Sequence, residues 1–294
     1  MLRGVLGHAL LAKFCHCSDQ NNHQTGCLYV HLFEGYRRDR QDGLPAVVFT
    51  VLDCSQTIEA GAAFRFRLTF ISLSSAVRAA IIDALAEGLK SGLGRQRIPC
   101  RLQAVHPVSI IADQIDQHVT VNLVSPWLVK HQGRALRART IKVHDVFVAL
   151  AQRQRQVNRH FDLGLPVPAN NHLLALADEL VVREELTDER WDRLSNRQAK
   201  RHVLQGVTGK LHLYHPLPGG LASVSALFAN GVLLHGGGKT SFGLGAFQFD
   251  GRVDAHAYAT PRMIIQPYTP SLALTETGSV VVNTRPRNRT DRTL

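Results

Sequence analysis

Residues 63–90 read AFRFRLTFISLSSAVRAAIIDALAEGLK, and the fold is decided in this stretch. Its first part alternates. Phe64, Phe66, Leu68 and Phe70 fall on one face and Arg65, Arg67 and Thr69 on the other, the period of two of a strand with one face on a core. The second part changes period: from Ser74 to Lys90 the residues Val77, Ile81, Ala84, Leu85 and Leu89 recur at helical spacing, which predicts an amphipathic helix. Ser74 and Ser75 can cap its start and Gly92 can end it. Upstream, Ala46–Leu52 is a short apolar run that reads as a buried strand, and Leu2–Phe14 has helical periodicity. Downstream, Arg97–Val105 is a further strand.

The order helix, strand, strand, helix, strand is a ferredoxin-like unit without its first strand. The second half repeats the theme with all its parts. Val119–Val124 reads as a strand, Thr140–Phe161 as a long helix, Leu180–Arg183 and Val203–Leu213 as strands, Leu221–Asn230 as a helix and Ala246–Phe249 as a strand. The expected class is therefore α+β, with two tandem ferredoxin-like (RRM-like) domains at residues 1–114 and 115–250, the boundary falling in Ile111–Gln117. Residues 251–294 read as a C-terminal extension, partly flexible, and its Arg-, Asn- and Thr-rich end at 285–292 as a basic tail.

Composition narrows the function classes. The chain has 294 residues, 45 % of them apolar and 19 % charged, so it can build a core and is not globally disordered. Its formal charge is +11, which points to a polyanionic partner, nucleic acid before anionic membrane. No run of about 18 apolar residues exists to span a bilayer. The short apolar stretch Met1–Ala12 is interrupted by His8 and followed by Lys13, unlike a secretory signal. Five cysteines, an odd number in a long chain, do not make a disulfide framework, and a reducing cytoplasm is expected.

The segment LHGGGKTSFGLGAF at 234–247 invites a nucleotide-loop reading, but the spacing rejects it. A P-loop needs glycine at the position held by Leu233, and a dinucleotide fingerprint needs one at Gln248. What remains is either a phosphate-contacting loop, with bare N–H groups at Gly237 and Gly238 and the cation Lys239, or a tight turn in which glycine only supplies positive φ. This block resembles the C-terminal glycine-rich signature of the CRISPR repeat-RNA processing endoribonucleases of the RAMP superfamily. Two more blocks are similar to that family: Ser195–Gln198 followed by Gly206–Gly209, and Leu2–Leu10 (LRGVLGHAL) followed by Cys27–Glu34 (CLYVHLFE). Together they cover most of residues 1–250. Two features depart from the pattern: the family has a strand before the Leu-Arg-Gly helix, where this chain begins inside the motif, and residues after Gly251 match nothing in it.

The resemblance implies two ferredoxin-like domains and cleavage of precursor RNA within repeats, with no cofactor and no obligatory metal. Such cleavage uses the ribose 2′-hydroxyl as nucleophile. It needs a proton acceptor, a proton donor and cations on the phosphate. By the resemblance His16 is the first candidate for acid/base work and Arg3 for phosphate stabilisation; Tyr29 and His31 are reserves, and His8 a weaker one. Candidate RNA-binding residues are Lys239, Gly237, Gly238, Arg197, Lys200, Arg201, and the helix residues Arg153, Arg155 and Arg159, for which a solvated basic face is the plainer reading. Lys200 and Arg201 are neighbours and cannot both face the same way on a regular element. Aromatics are 6 % of the chain, which favours recognition by shape and phosphate over stacking.

His16 has a competing role. Cys15, His16, Cys17, His23 and Cys27 lie within thirteen residues, enough ligands for tetrahedral zinc, although not in C-x-x-C spacing. The plainer reading is free cysteines near a helix end, with no metal. The expected partners are CRISPR repeat RNA, as hairpin or single strand, and other CRISPR effector subunits, with no membrane. The alternatives are a non-catalytic RNA-binding subunit of the same superfamily and a basic scaffold that coats guide RNA.

Overall fold

The computed structural model describes residues 2–19, 23–24, 26–35, 43–52, 61–94, 96–108, 114–195, 200–250 and 277–284. The chain divides into two compact units, residues 1–109 with 257–294, and residues 110–256. No described helix is long and apolar enough to cross a membrane.

The first unit opens with α1 (Leu2–Phe14) and a π-helical turn at Val30–Glu34, followed by β1 (Val47–Val51), β2 (Ala63–Phe70), α2 (Ser75–Lys90) and β3 (Cys100–Val108). The Ser74 hydroxyl accepts the Val77 N–H and caps α2, as its position promised. β1 and β2 run antiparallel, with Val47 opposite Phe70 and Val51 opposite Phe66. Phe64, Phe66, Leu68 and Phe70 are buried as expected, but so are Arg67 and Thr69, so the far half of β2 is covered on both faces. Burial pushes the Arg67 pKa down to about 10.

The second unit is β4 (His118–Trp127), a small hairpin of β5 (Lys130–His131) and β6 (Arg134–Ala135), α3 (Val143–Phe161), α4 (Asn170–Glu179), β7 (Val181–Ser195), β8 (Lys200–Tyr214), α5 (Ser225–Leu234) and β9 (Phe247–Phe249). Its sheet order is β7-β8-β4-β9, all antiparallel, which is the ferredoxin-like order with β4 as first strand. The apolar stripe of α3, with Val146, Phe147 and Leu150, packs on Val121, Leu123, Leu211, Phe228 and Phe247. Phe228 meets Phe147 and Phe247 edge-on. β7 and β8 are much longer than the strands read from sequence: they stay in register from Val181–Tyr214 out to Ser195–Lys200. β4 reaches β8 only between Val207 and Tyr214, so the far half of the pair extends past the sheet as a two-stranded ribbon.

The first sheet has its own solution to the missing strand. β10 (Thr277–Thr284) lies between β2 and β3, antiparallel to both, giving the order β1-β2-β10-β3. Gly278 faces Leu68 and Asn283 faces Ala63 on one side, while Thr277 faces Val108 and Thr284 faces Cys100 on the other, with one register slip at Val281/Val282. β10 thus holds in this sheet the slot and the sense that β4 holds in the other. The sequence expectation of a first sheet one strand short is corrected here: Thr277–Thr284, within the C-terminal extension, fills the sheet. The physical reason is that β2 and β3 would otherwise turn bare N–H and C=O rows toward each other. The basic tail at 285–292 lies outside the described residues.

Candidate functional site

In the first unit the chain folds back along α1. Leu2, Leu6 and Leu10 are buried, and Gly7 lets the ring of Phe33 lie directly on the helix, since a Cβ there would stand 2.5 Å from the ring's Cζ. The returning segment is the π-helical turn, ended by Gly35 in the left-handed region; such turns are rare and often found at functional positions. The Arg3 guanidinium sits 4.1 Å over the Phe33 ring and donates to the Phe33 carbonyl at 3.4 Å. Tyr29 is buried, stacks on Phe33 at 5.7 Å and donates its hydroxyl to Glu34 Oε1 at 3.4 Å. His31 is exposed on the same turn, yet partial burial pushes its pKa below the ordinary histidine value, so the ring is neutral and a proton acceptor at pH 7.

His16 is exposed just beyond the other end of α1, and His8 is exposed along the helix. Eleven residue steps from Arg3 to Phe14 already span about 16 Å of helix axis. The Arg3 side chain is held at Phe33. The structure therefore brings Arg3 to the turn that carries His31 and Tyr29, and leaves His16 apart. What lies beside His16 is a cluster the sequence reading had only grouped: Cys15, Cys17, His23 and Cys27 place their ligand atoms within 4.8 Å of one another. His16 is outside that group.

The glycine-rich block of the second unit joins α5 to β9. Its N–H groups are largely engaged inside: Gly236 donates to the Gly245 carbonyl at 2.9 Å, Gly245 to Pro126 at 3.1 Å and Gly238 to Leu128 at 2.8 Å. A Cβ on Gly236 would come within 2.4 Å of the Trp127 ring, and one on Gly237 within 2.7 Å of the Leu128 oxygen. Positive φ, the tight-turn reading, holds at Gly237, Gly243 and Gly245, and close packing, which neither reading named, requires glycine at Gly236, Gly237 and Gly245. Lys239 stands exposed in the left-handed region at the tip, followed by the short turn Thr240–Phe242.

The arginines of α3 do not form a solvated face. Arg153 is 4 % exposed; its Nε donates to the Leu234 carbonyl at 3.2 Å, and burial pushes its pKa down to about 10. It satisfies an end carbonyl of α5, as the buried Gln154 bonds Leu227 O at 2.6 Å. A signal was available: Arg153 lies three residues after Leu150 and four before Val157, on the apolar stripe. Arg155 is tied to Asn170 Oδ1 at 2.6 Å and to the Pro168 carbonyl, while Arg159 is exposed in the last turn. Lys200 and Arg201 lie at the far end of the ribbon, opposite Ser195 and Leu194; Arg197 falls outside the described residues.

The sequence reading missed the open face of the second sheet. His118, Thr120, Arg183, His212 and Tyr214 line a shallow groove there. His212 Nδ1 is 3.2 Å from Thr120 Oγ1. Arg183 pairs with Glu185 at 2.7 Å, so the face is mixed in charge and rich in imidazole and hydroxyl groups. Its signal was the alternation of Thr208, Lys210, His212 and Tyr214 with Val207, Leu211 and Leu213.

The AF_1859_N family model, described as an N-terminal domain, matches residues 1–124. No curated protein matches the chain. Among solved structures, a Cas6 product complex is similar at 18 % identity and a TM-score of 0.49, over 85 % of this chain and 91 % of that one. Thermus thermophilus Cas6 is similar at 16 % identity and 0.46, over 84 % and 89 %. The product of a Cas6-related gene from Pyrococcus furiosus is similar at 11 % identity and 0.39, over 84 % and 88 %.

Proposed function

We propose that this protein is a CRISPR-type endoribonuclease that cuts precursor RNA within its repeats by internal attack, with no divalent metal in the chemistry. The observation that carries the reading is the position of the glycine-rich block. It joins the last helix to the last strand of a complete ferredoxin-like unit and presents Lys239 to solvent, in a chain of charge +11. The resemblance of this block, of Leu2–Leu10 and of Cys27–Glu34 to the repeat-processing family supplies the reaction.

In that reaction the 2′-hydroxyl beside the scissile phosphate gives its proton to a base and attacks phosphorus in line. An acid protonates the departing 5′-oxygen, leaving a 2′,3′-cyclic phosphate and a 5′-hydroxyl. His16 is the first choice for acid/base work. His31 is the second, favoured by its neutral ring and by Arg3 within the same α1 hairpin, where a cation can take up charge on phosphate.

Repeat RNA incubated without magnesium tests the reading. One scission per repeat is expected, at the 3′ base of its hairpin, with the ends just named. A 2′-deoxy residue at the cut should abolish cleavage and leave binding nearly unchanged. His16→Ala should slow cleavage by about 10²–10⁴-fold if His16 is the acid or base, and a near-normal rate would move the role to His31, Tyr29 or His8. Magnesium-dependent cleavage with 3′-hydroxyl ends would refute the mechanism. A shifted band without products would establish the non-catalytic subunit instead.

A further inference from the structure

The segment 15–27 reads CHCSDQNNHQTGC and contains no aliphatic, Phe, Tyr or Trp residue. It has nothing from which to build a hydrophobic core, yet Cys15, Cys17, His23 and Cys27 converge so that one ligand atom from each lies within 4.8 Å of the others. Ordering such a stretch costs backbone entropy that apolar burial cannot offset here. Small apolar-poor elements that hold a defined shape do so with a disulfide or a metal. The three cysteines carry free thiols.

We propose that Cys15, Cys17, His23 and Cys27 form a structural zinc site that fastens the end of α1 to the start of the returning turn. Tetrahedral zinc, with bonds of about 2.3 Å to sulfur and about 2.0–2.1 Å to nitrogen, sets ligand edges of about 3.7 Å between sulfurs and about 3.5 Å between sulfur and nitrogen. His23 Nδ1 lies 3.3 Å from Cys15 Sγ and 3.7 Å from Cys27 Sγ, on either side of that edge. The orientation of the ring is set by Tyr29, with centroids 5.2 Å apart. Cys17 Sγ accepts the Gln24 N–H at 3.3 Å, the kind of outer hydrogen bond that steadies a metal-bound thiolate.

Three sulfurs and one imidazole in a closed tetrahedral set suit zinc better than the oxygen-seeking cations. With every position taken by protein, the site is structural and has no place for substrate. On binding, each thiol releases its proton to solvent and the metal takes up the thiolates. His16, between two ligands, has its backbone fixed while its side chain remains exposed.

The test uses the full chain and needs no RNA, so it stands apart from the proposed reaction. Protein kept reduced, supplied with zinc and freed of excess should carry about one equivalent by elemental analysis. Cobalt added to the metal-free protein should give the intense visible bands of a tetrahedral thiolate site. Removing the metal with a chelator should lower the melting temperature, and zinc should restore it. Cys17→Ser should lose the bound metal, while Cys100→Ala, outside the cluster, should keep it. Should Cys17→Ser fail to fold, the metal content and cobalt spectrum of the unaltered chain decide the matter. Reduced protein that takes up no zinc, or cobalt bands of octahedral form, would overturn the proposal. So would one full equivalent retained in Cys17→Ser.

Discussion

Gly245→Ala tests the close packing of the glycine-rich block. Gly245 has φ +76°, and a Cβ there would fall 1.8 Å from the backbone oxygen of Gly236. The left-handed conformation alone costs an alanine about 1–2 kcal/mol. Relief of the clash requires moving the Gly236 backbone, which breaks the Gly236–Gly245 and Gly245–Pro126 hydrogen bonds at about 1 kcal/mol each. The same movement pushes Gly236 onto the Trp127 ring, an overpacking cost of about 1–3 kcal/mol. Together these come to about 4–7 kcal/mol, or a fall of about 10–25 °C in the melting transition of this unit. Thermal unfolding followed by near-ultraviolet circular dichroism of the buried Trp127 measures it. Gly219→Ala is the control: φ is +71° there but nothing stands within 4 Å of the new Cβ, so only the conformational cost applies. If Gly245→Ala melts within a few degrees of Gly219→Ala, the loop is not packed as described.

Lys239→Ala should leave the melting temperature unchanged and weaken RNA binding, while Arg153→Ala should do the reverse, costing about 1–3 kcal/mol through the unsatisfied Leu234 carbonyl; a weakened RNA affinity in folded Arg153→Ala would contradict its placement. With, for illustration, about five phosphate contacts, a fourfold rise in salt should reduce RNA affinity roughly a hundredfold, and a flat salt response would detach the +11 charge from RNA. Because burial lowers the His31 pKa, the unfolded chain binds this proton more readily than the folded one, so its contribution to stability is full above about pH 6.5 and is lost as pH falls below it. His31→Gln should flatten that acid limb in a urea-unfolding series, and an unchanged limb would remove His31 as its source. Ending the chain at residue 276 should open the first sheet between β2 and β3, lower its melting temperature and promote association through the bared edges; hydrogen exchange in β3 unaffected by the truncation would refute the pairing.

How much could be read from residue order alone follows the range of the interactions involved. The alternation Phe64–Phe70 and the stripe Val77–Leu89 depend on neighbours within a turn or a pleat, so they identified β2 and α2 and, with their repeats, the α+β class. Ser74 as a cap and the rejection of a P-loop rest on spacing over a few residues and were equally legible. The length of β7 was not, because its outer half is held by β8 rather than by a core face that would print an apolar pattern. The burial of Arg153 was legible from its place on the apolar stripe of α3, but its partner was not, since the Leu234 carbonyl lies 81 residues away.

The residues 15–27 show the same division at the candidate site. Sequence brought five ligand-type side chains within thirteen positions, and only the folded chain chose His23 over His16, because His23 Nδ1 lies 3.3 Å from Cys15 Sγ while His16 faces outward. The first sheet shows it most fully. Sequence alone read the leading unit as helix, strand, strand, helix, strand, one strand short of a ferredoxin-like sheet. Only the tertiary structure decided that Thr277–Thr284 fills the slot, since a ladder between β2 and β3 is specified by unpaired backbone groups, which every residue type carries alike and no pattern of side chains announces.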